Sequence, residues 1–352
     1  MTAQIDVIVP IHDPERPLRR TLQSIFTGSE GLVRVLVIAH NTSPAPFERI
    51  VADYPDADLF SLNDGVRSPS GPMNVGLSNA RAPWVSIMGS DDTVEAGAYR
   101  EWWDFARRTG SDIVIPRLRH SSGAAVITPP TRPWRTHTLD PVRDRLSYRS
   151  APLGIFSRER FGHARLPIGI ATGEDIPFVT QLWFSGSRVG YARRGPAYII
   201  QADAGDRISY APRPLEDEFA WLEPTEALAE NLTPRERRSL GAKLIRVNLF
   251  GTIVSRRGQW NSTERRSLAA ATVRMLRLGC GVEEVLSRAD RNVIDLALDA
   301  SAPSTELDIA AALRRRFASP AGLLPRDLRF TLSLDGAMRT AFSSALQRSK
   351  LV

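Results

Sequence analysis

The chain has 352 residues, 42% of them hydrophobic and 24% charged, the balance of an ordinary globular protein with room for one large domain and a second, smaller one. Its formal net charge of +7 rests almost wholly on arginine, since Lys243 and Lys350 are the only lysines among 46 basic residues, and arginine favours bidentate contact with phosphate or carboxylate. A single cysteine, Cys280, excludes an intrachain disulfide and a cysteine-cluster metal site, and the most apolar run, Leu244 to Val254, is interrupted by Arg246 and Asn248 and is too short to span a bilayer. No signal-peptide pattern opens the sequence, so it reads as cytoplasmic, with peripheral contact at the inner face of the membrane left open.

In chain order, Ile5 to Ile11 is a β-branched apolar run stopped by His12-Asp13-Pro14 and reads as a buried parallel strand. A helix from about Pro17 carries Leu18, Leu22, Ile25 and Phe26 at helical spacing and ends at Gly28. Val33 to Ala39 is a second strand with His40, Asn41, Thr42 and Ser43 at its mouth. A short helix near Pro46 to Tyr54, a weak strand at Leu59 to Leu62 and the loop Asn63 to Pro72 come after it. Next stands NVGLSNARAPWVSIMGSDD, Asn74 to Asp92: a polar lead, a strand from Trp84 to Met88, a Gly89-Ser90 turn and two adjacent carboxylates. The alternation of strand and helix predicts an open, mainly parallel, doubly wound sheet. Asp91 and Asp92 then stand at a strand mouth, where such sheets bind ligands and where hard oxygen donors can hold Mg²⁺ or Mn²⁺. The competing reading is an acidic turn capping a helix that starts near Thr93.

Ala96 to Thr109 reads as a helix with Tyr99, Trp102, Trp103 and Ala106 on its core side, and Asp112 to Leu118 as a strand. Arg119 to Pro141 is a polar, proline-rich loop of the length often reserved for function. Gly173-Glu174-Asp175 opens an apolar helix to Phe184, where the carboxylates either favour the helix dipole or do chemistry. Gly195 to Ile200 is the last strand. From about Leu215 the pattern turns helical, with a capping box at Thr233-Pro234-Arg235-Glu236, a second start at Asn261 with Glu264, and further helices over Val282 to Ala300 and Leu307 to Phe317. The domains are placed at 1–214 and 215–352, the first split at about residue 118. The arginine pairs of the helical part read as solvated faces, with a homo-oligomer through these helices left open.

The segment Asn74 to Asp92 resembles the metal-binding segment of the inverting family-2 glycosyltransferases of GT-A fold. Val9-Pro10-Ile11-His12-Asp13 is similar to the family's first strand end, Val-Pro-x-Tyr-Asn, and Asn63-Asp64-Gly65-Val66 to its Asn-x-Gly-Val loop. The resemblance implies a nucleotide-sugar site at Pro10, His12, Asp13, His40, Asn41, Asp64, Asn74, Asp91 and Arg207, with Asp92 and Asp91 on Mg²⁺ or Mn²⁺. It makes Asp175 the catalytic base, assisted by Glu174. The chain departs from the pattern at Ala39, where relatives carry a base-contacting Asp, at Met73 in place of an arginine, and at Gly89 in place of a third carboxylate. Arg67 or Arg81 is then the candidate for the lost positive charge. The resemblance makes the first domain a nucleotide-sugar half to about 118 and an acceptor half from 119, and it stops before the helical part.

The same resemblance implies a metal-dependent enzyme that moves a sugar, from a UDP-sugar by preference, to a hydroxyl of a glycan, lipid-linked or polymer acceptor in cell-envelope polysaccharide synthesis. The absence of Gln-x-x-Arg-Trp and of membrane helices points to non-processive transfer. The alternative is a non-catalytic scaffold of the same fold that binds sugar nucleotides or glycans. A nucleotidyltransferase is disfavoured because His12 to Arg20 has neither Gly nor Lys, a dehydrogenase because no G-x-G-x-x-G comes after the first strand. Nucleic acid is not an expected partner.

Overall fold

A computed structural model describes residues 2–201 and 213–351, without the side chains of 350 and 351. It divides into two compact units, one of residues 1–128, 134–139 and 149–211, the other of 129–133, 140–148 and 212–352. The short segments 129–133 and 140–148 thus pack with the helices, although in sequence they lie inside the stretch read as the acceptor half.

The first unit runs β1 (Ile5–Ile11), α1 (Leu18–Phe26), β2 (Val33–His40), α2 (Ala45–Val51), β3 (Ala57–Leu62), α3 (Ser70–Asn79), β4 (Trp84–Ile87), β5 (Thr93–Val94), α4 (Ala98–Thr109) and β6 (Ile113–Pro116). It continues through β7 (Leu118–His120), β8 (Ala125–Val126), β9 (Ile155–Ser157), α5 (Arg158–Phe161), α6 (Asp175–Trp183), β10 (Val189–Ala192) and β11 (Tyr198–Ile200). Seven strands form one sheet in the order β10-β6-β9-β4-β1-β2-β3. All its pairings are parallel except those of β9, which runs against both β4 and β6. The apolar runs of β1 and β2 pair Val7 with Val35 and Val9 with Val37 at the middle of the sheet, buried on both faces. Leu18, Leu22 and Ile25 of α1 are fully buried, each contributing about 1.5–3 kcal/mol by leaving water. Asp6 is the buried exception in β1; Arg34 grips both its oxygens, Nε to Oδ1 at 2.8 Å and Nη2 to Oδ2 at 2.9 Å.

A second sheet, β5-β11-β7-β8, was not expected from the sequence. Its strands are two or three residues long, too short for a periodic signal. Two expectations change with it. Thr93–Val94 is a strand paired with Tyr198–Ile199, and α4 starts only at Ala98 after Gly97 at φ 72°, so Asp91 and Asp92 are not the cap of a helix. The polar stretch after Leu118 turns back as the β7–β8 hairpin. Trp102 is fully buried, with Nε1 donating to the Pro196 carbonyl at 3.2 Å, and Trp103 packs on the same core under Arg107.

The second unit is helical: α7 (Leu215–Glu218), α8 (Leu222–Ala229), α9 (Pro234–Lys243), α10 (Phe250–Ser255), α11 (Ser262–Leu278), α12 (Arg288–Leu298), α13 (Ser304–Arg314), α14 (Pro320–Leu323) and α15 (Ala337–Leu351). Both capping boxes read from sequence form, Thr233 with Glu236 and Asn261 with Glu264, and Ser287 with Asp290 makes a third. Between α9 and α10 the helix widens into a π-type stretch, Leu244–Leu249, that keeps Leu244, Ile245 and Leu249 buried. No helix among the described residues is long and apolar enough to cross a membrane.

Candidate active site

The parallel sheet aligns the ends of β1 and β4: Ile8 pairs with Ile87, and the Met88 amide donates to the Ile8 carbonyl at 2.9 Å. The turn Gly89 to Asp92 therefore leaves the sheet beside Ile11 and His12. At this mouth lies a cavity of about 390 Å³ whose wall includes Pro10 near the end of β1, His12 and Arg16 after it, His40 at the end of β2, Asp91 and Asp92 after β4, and Glu174 and Asp175 at the start of α6. Seven of the residues singled out from sequence converge there from four separate stretches of chain.

The acidic turn is held from two sides. From α1 and the residues before it, Arg16 Nη1 meets Asp91 Oδ1 at 3.0 Å and Arg20 Nη2 donates to the Asp91 carbonyl at 2.7 Å. The Thr21 hydroxyl lies 2.8 Å from the Ser90 carbonyl and 2.9 Å from that of Asp92. From β11, the Tyr198 hydroxyl donates to Asp92 Oδ2 at 2.6 Å and the Gln201 amide to Asp92 Oδ1 at 2.9 Å. Burial, with Asp92 adjacent, raises the Tyr198 phenol well above its usual range, so it remains a protonated donor throughout neutral pH. A Cβ on Gly89 would lie 3.1 Å from both Asp91 Oδ1 and Asp92 Oδ2. The glycine lets both carboxylates fold back over the turn.

Four sequence candidates have other work. Asn41, in the left-handed region at φ 52°, accepts the Asp64 and Gly65 amides at 3.1 and 2.9 Å and donates to the Val66 carbonyl at 3.1 Å. Asp64 accepts from the Val66 amide at 2.9 Å and faces His40 Nε2 at 2.9 Å; these contacts, the backbone one first, hold its carboxyl below the usual range. Together they order the 63–66 loop and fix the His40 ring toward the cavity. Asn74 spends both ends of its amide on the Leu166 backbone, at 2.8 and 2.9 Å. Asp13 closes a local turn onto the Glu15 amide at 2.9 Å. None of these four lines the cavity, and Arg207 lies outside the described residues. Arg67 and Arg81 are exposed and away from the cavity wall; the arginine at the mouth is Arg16. Sequence reasoning missed Arg16 and Tyr198 because an arginine after a loop proline and a tyrosine in a three-residue strand look like surface and core.

Among the described residues no three metal-binding side chains cluster. Asp91 is committed to Arg16, whereas Asp92 accepts from Tyr198 and Gln201, and an ionised carboxylate offers about four acceptor positions in all. That donor set does not make an all-protein cage. It fits a hard divalent ion held by one carboxylate, with diphosphate oxygens and water completing the shell.

Residues 6–162 match the family model Glycosyl transferase family 2. The chain is 18% identical over 228 residues to the poly(ribitol-phosphate) beta-glucosyltransferase of Bacillus spizizenii, covering 62% of this chain and 36% of that protein. It is 28% identical over 116 residues to the succinoglycan biosynthesis protein ExoO of Rhizobium meliloti, covering 32% of this chain and 33% of that one. The matched parts thus span only about a third of these relatives' lengths. In structure it is similar to S. aureus TarS 1–349 in complex with UDP-GlcNAc, with a TM-score of 0.73 at 17% identity over 89% of this chain and 92% of that one. A likeness over 89% of the chain reaches past the sheet-bearing unit into the helices, where the sequence resemblance had stopped. Residues 6–162 of the chain thus match the glycosyl transferase family 2 model, and the chain has a GT-A-like, mainly parallel α/β core with a helical region after it.

Proposed function

We propose that this protein is an inverting, non-processive glycosyltransferase that moves a sugar from a UDP-sugar to a hydroxyl of a cell-envelope glycan, lipid-linked or polymer acceptor. The observation that carries the reading is the meeting of Asp91-Asp92 and Glu174-Asp175, some eighty residues apart in sequence, on one cavity that the mouths of β1 and β2 also line. The match of residues 6–162 to the glycosyl transferase family 2 model and the likeness to a protein solved with UDP-GlcNAc support a uridine donor. Pro10, His12 and His40 flank the base and Arg16 faces the diphosphate with a guanidinium suited to phosphate. Asp92, with Asp91 beside it, would hold a divalent ion that neutralises charge on the departing diphosphate. Asp175 takes the proton from the acceptor hydroxyl as its oxygen bonds to the anomeric carbon and the bond to the diphosphate breaks, and Glu174 orients the acceptor.

Calorimetric titration of the protein with UDP, GDP and dTDP, each with Mn²⁺ and with chelator, tests the donor site. Metal-dependent binding of UDP that disappears in Asp92→Ala is the expected result. Binding of none of the three nucleotides sinks the reading. Nucleotide binding without UDP release in the presence of UDP-sugar and a panel of envelope acceptors favours the non-catalytic scaffold.

A further inference from the structure

The helical unit encloses a second cavity, of about 630 Å³, that the family's chemistry does not use. Its floor is built from charge. Asp290, nearly fully buried, accepts from Arg314 Nε at 2.6 Å and from Arg246 Nε at 3.2 Å, so two guanidiniums share one carboxylate. Burial alone would raise the Asp290 carboxyl; the two arginines outweigh it and hold it low, hence ionised. Every nitrogen of Arg246 is engaged, with Nη1 reaching the Asp335 carbonyl at 2.6 Å and the Tyr148 hydroxyl at 3.4 Å, and Nη2 the Val285 carbonyl at 3.2 Å. Arg314 is not saturated. It stacks over the Phe250 ring at 4.1 Å and sends Nη2 to the Arg246 carbonyl at 3.4 Å, while Nη1 makes no hydrogen bond among the described residues.

Arg348 on α15 adds a third cation, so the described lining carries three arginines against one aspartate. Behind it Arg145, 3% exposed, donates only to neutral oxygens: the Pro130 and Leu334 carbonyls at 3.1 and 2.9 Å and the Thr340 and Ser343 hydroxyls at 3.1 and 3.3 Å. The buried Asp335 carboxyl also faces Arg246 and Arg145, with burial raising it and the arginines acting against that. Arg348 is exposed, so the little-exposed groups are Arg145, Arg246 and Arg314 against Asp290 and Asp335, one cation in excess, and such an excess is costly unless an anion joins it. The π-type stretch that sets Arg246 and Val247 on the cavity wall is of the kind that recurs at functional sites. Opposite, α15 offers Ala337, Ala341 and Ala345 one turn apart, which keep the space open, with the Thr340 and Ser344 hydroxyls between them. The rim is apolar: Val247 is 41% exposed and Phe317 62%.

We infer that this cavity is a binding site for a phosphate ester, its phosphate on Arg314 Nη1 and Arg348 and its carbon body against Val247 and Phe317. A tetrahedral anion with several acceptor oxygens suits the fixed Arg314 guanidinium, the exposed Arg348 one and the Ser344 hydroxyl, the Thr340 hydroxyl being spent on the Gly336 carbonyl. The phosphate can come from a soluble ester or from a lipid headgroup, and the test separates them. The full chain is titrated calorimetrically with inorganic phosphate and glycerol 3-phosphate, and sedimented with phosphatidylcholine vesicles with and without phosphatidic acid. Saturable binding of glycerol 3-phosphate, tighter than that of inorganic phosphate, assigns a soluble ester. Sedimentation that requires phosphatidic acid assigns a lipid. In either arm Arg314→Gln, which leaves Asp290 paired with Arg246, weakens binding about tenfold or more, the worth of a hydrogen bond to a charged group. Ala341→Phe, which fills the mouth without changing charge, abolishes binding while UDP binding and the melting temperature stay as in the parent. Absence of binding in both arms, or binding indifferent to both variants, overturns the proposal without touching the reading of the acidic cavity.

Discussion

The hydroxyl of Tyr198 donates to Asp92 Oδ2 at 2.6 Å, and that bond ties the acidic turn after β4 to a strand more than a hundred residues later. With the Gln201 amide on the other oxygen, it fixes the orientation of the Asp92 carboxylate at the cavity wall. Tyr198→Phe keeps the buried ring and removes only this donor. The expected result is Mn²⁺-dependent UDP binding weaker by about tenfold, with a melting temperature within a few degrees of the parent. Unchanged binding would show that Asp92 needs no such positioning.

The two carboxylates should separate on mutation. Asp92→Asn is expected to leave nucleotide binding insensitive to chelator. Asp91→Asn mainly frees Arg16 and should weaken binding by a smaller factor while preserving its metal dependence. Calorimetry with and without chelator reads both, and the opposite pattern would assign the ion to Asp91.

Asp175→Asn tests the base. Loss of a positioned general base costs about 10²–10⁴ in kcat, while UDP binding stays within about twofold, because that residue is assigned to the acceptor proton. A variant that loses nucleotide binding and turnover together would place Asp175 in the donor site instead.

Gly89→Ala puts a methyl group 3.1 Å from an oxygen of each carboxylate, a distance that forces both to shift. Donor binding should fall several-fold while thermal unfolding moves little, since the turn is at the surface end of the sheet. A parent-like titration would mean that the carboxylates have room to spare.

In the helical unit, Asp290 has its folded-state acidity strengthened by Arg246 and Arg314 against the cost of burial. A carboxyl with a depressed folded pKa contributes stability that is fully present above its unfolded value, about 3.9, and is lost as pH falls through the folded one. Chemical denaturation followed from pH 7 down to pH 3 should show a fall in stability below about pH 4 that is smaller in Asp290→Asn. Equal slopes for both proteins would remove Asp290 from the acid response. The variant should also be less stable at pH 7, by about 3–5 kcal/mol, because two buried guanidiniums lose their carboxylate.

How much of this was written in the chain order can be judged residue by residue. The strands Ile5–Ile11 and Val33–His40, the buried side of α1 and the capping boxes at Thr233 and Asn261 were legible because each is local: a β-branched run, a helical spacing, a pair of residues three apart. The two acidic elements stood out as adjacent carboxylates beside an apolar stretch, but their proposed roles came from the resemblance and not from that pattern. The partners they meet were not. Whether Asp91 faces a metal or Arg16, whether Asn74 and Asn41 touch a ligand or the backbone of residues 166 and 63–66, and whether Tyr198 is core or support for Asp92 all depend on strand register and on chain brought together from distant positions. The antiparallel β9 and the small second sheet escaped because two or three residues carry no period. The shared carboxylate of Arg246 and Arg314 escaped because nothing in an arginine's neighbours along the chain shows whether its guanidinium ends in water or on a buried aspartate. Local pattern determined the elements, and the motif order carried the resemblance on which the proposed reaction rests; only packing decided which charges face one another.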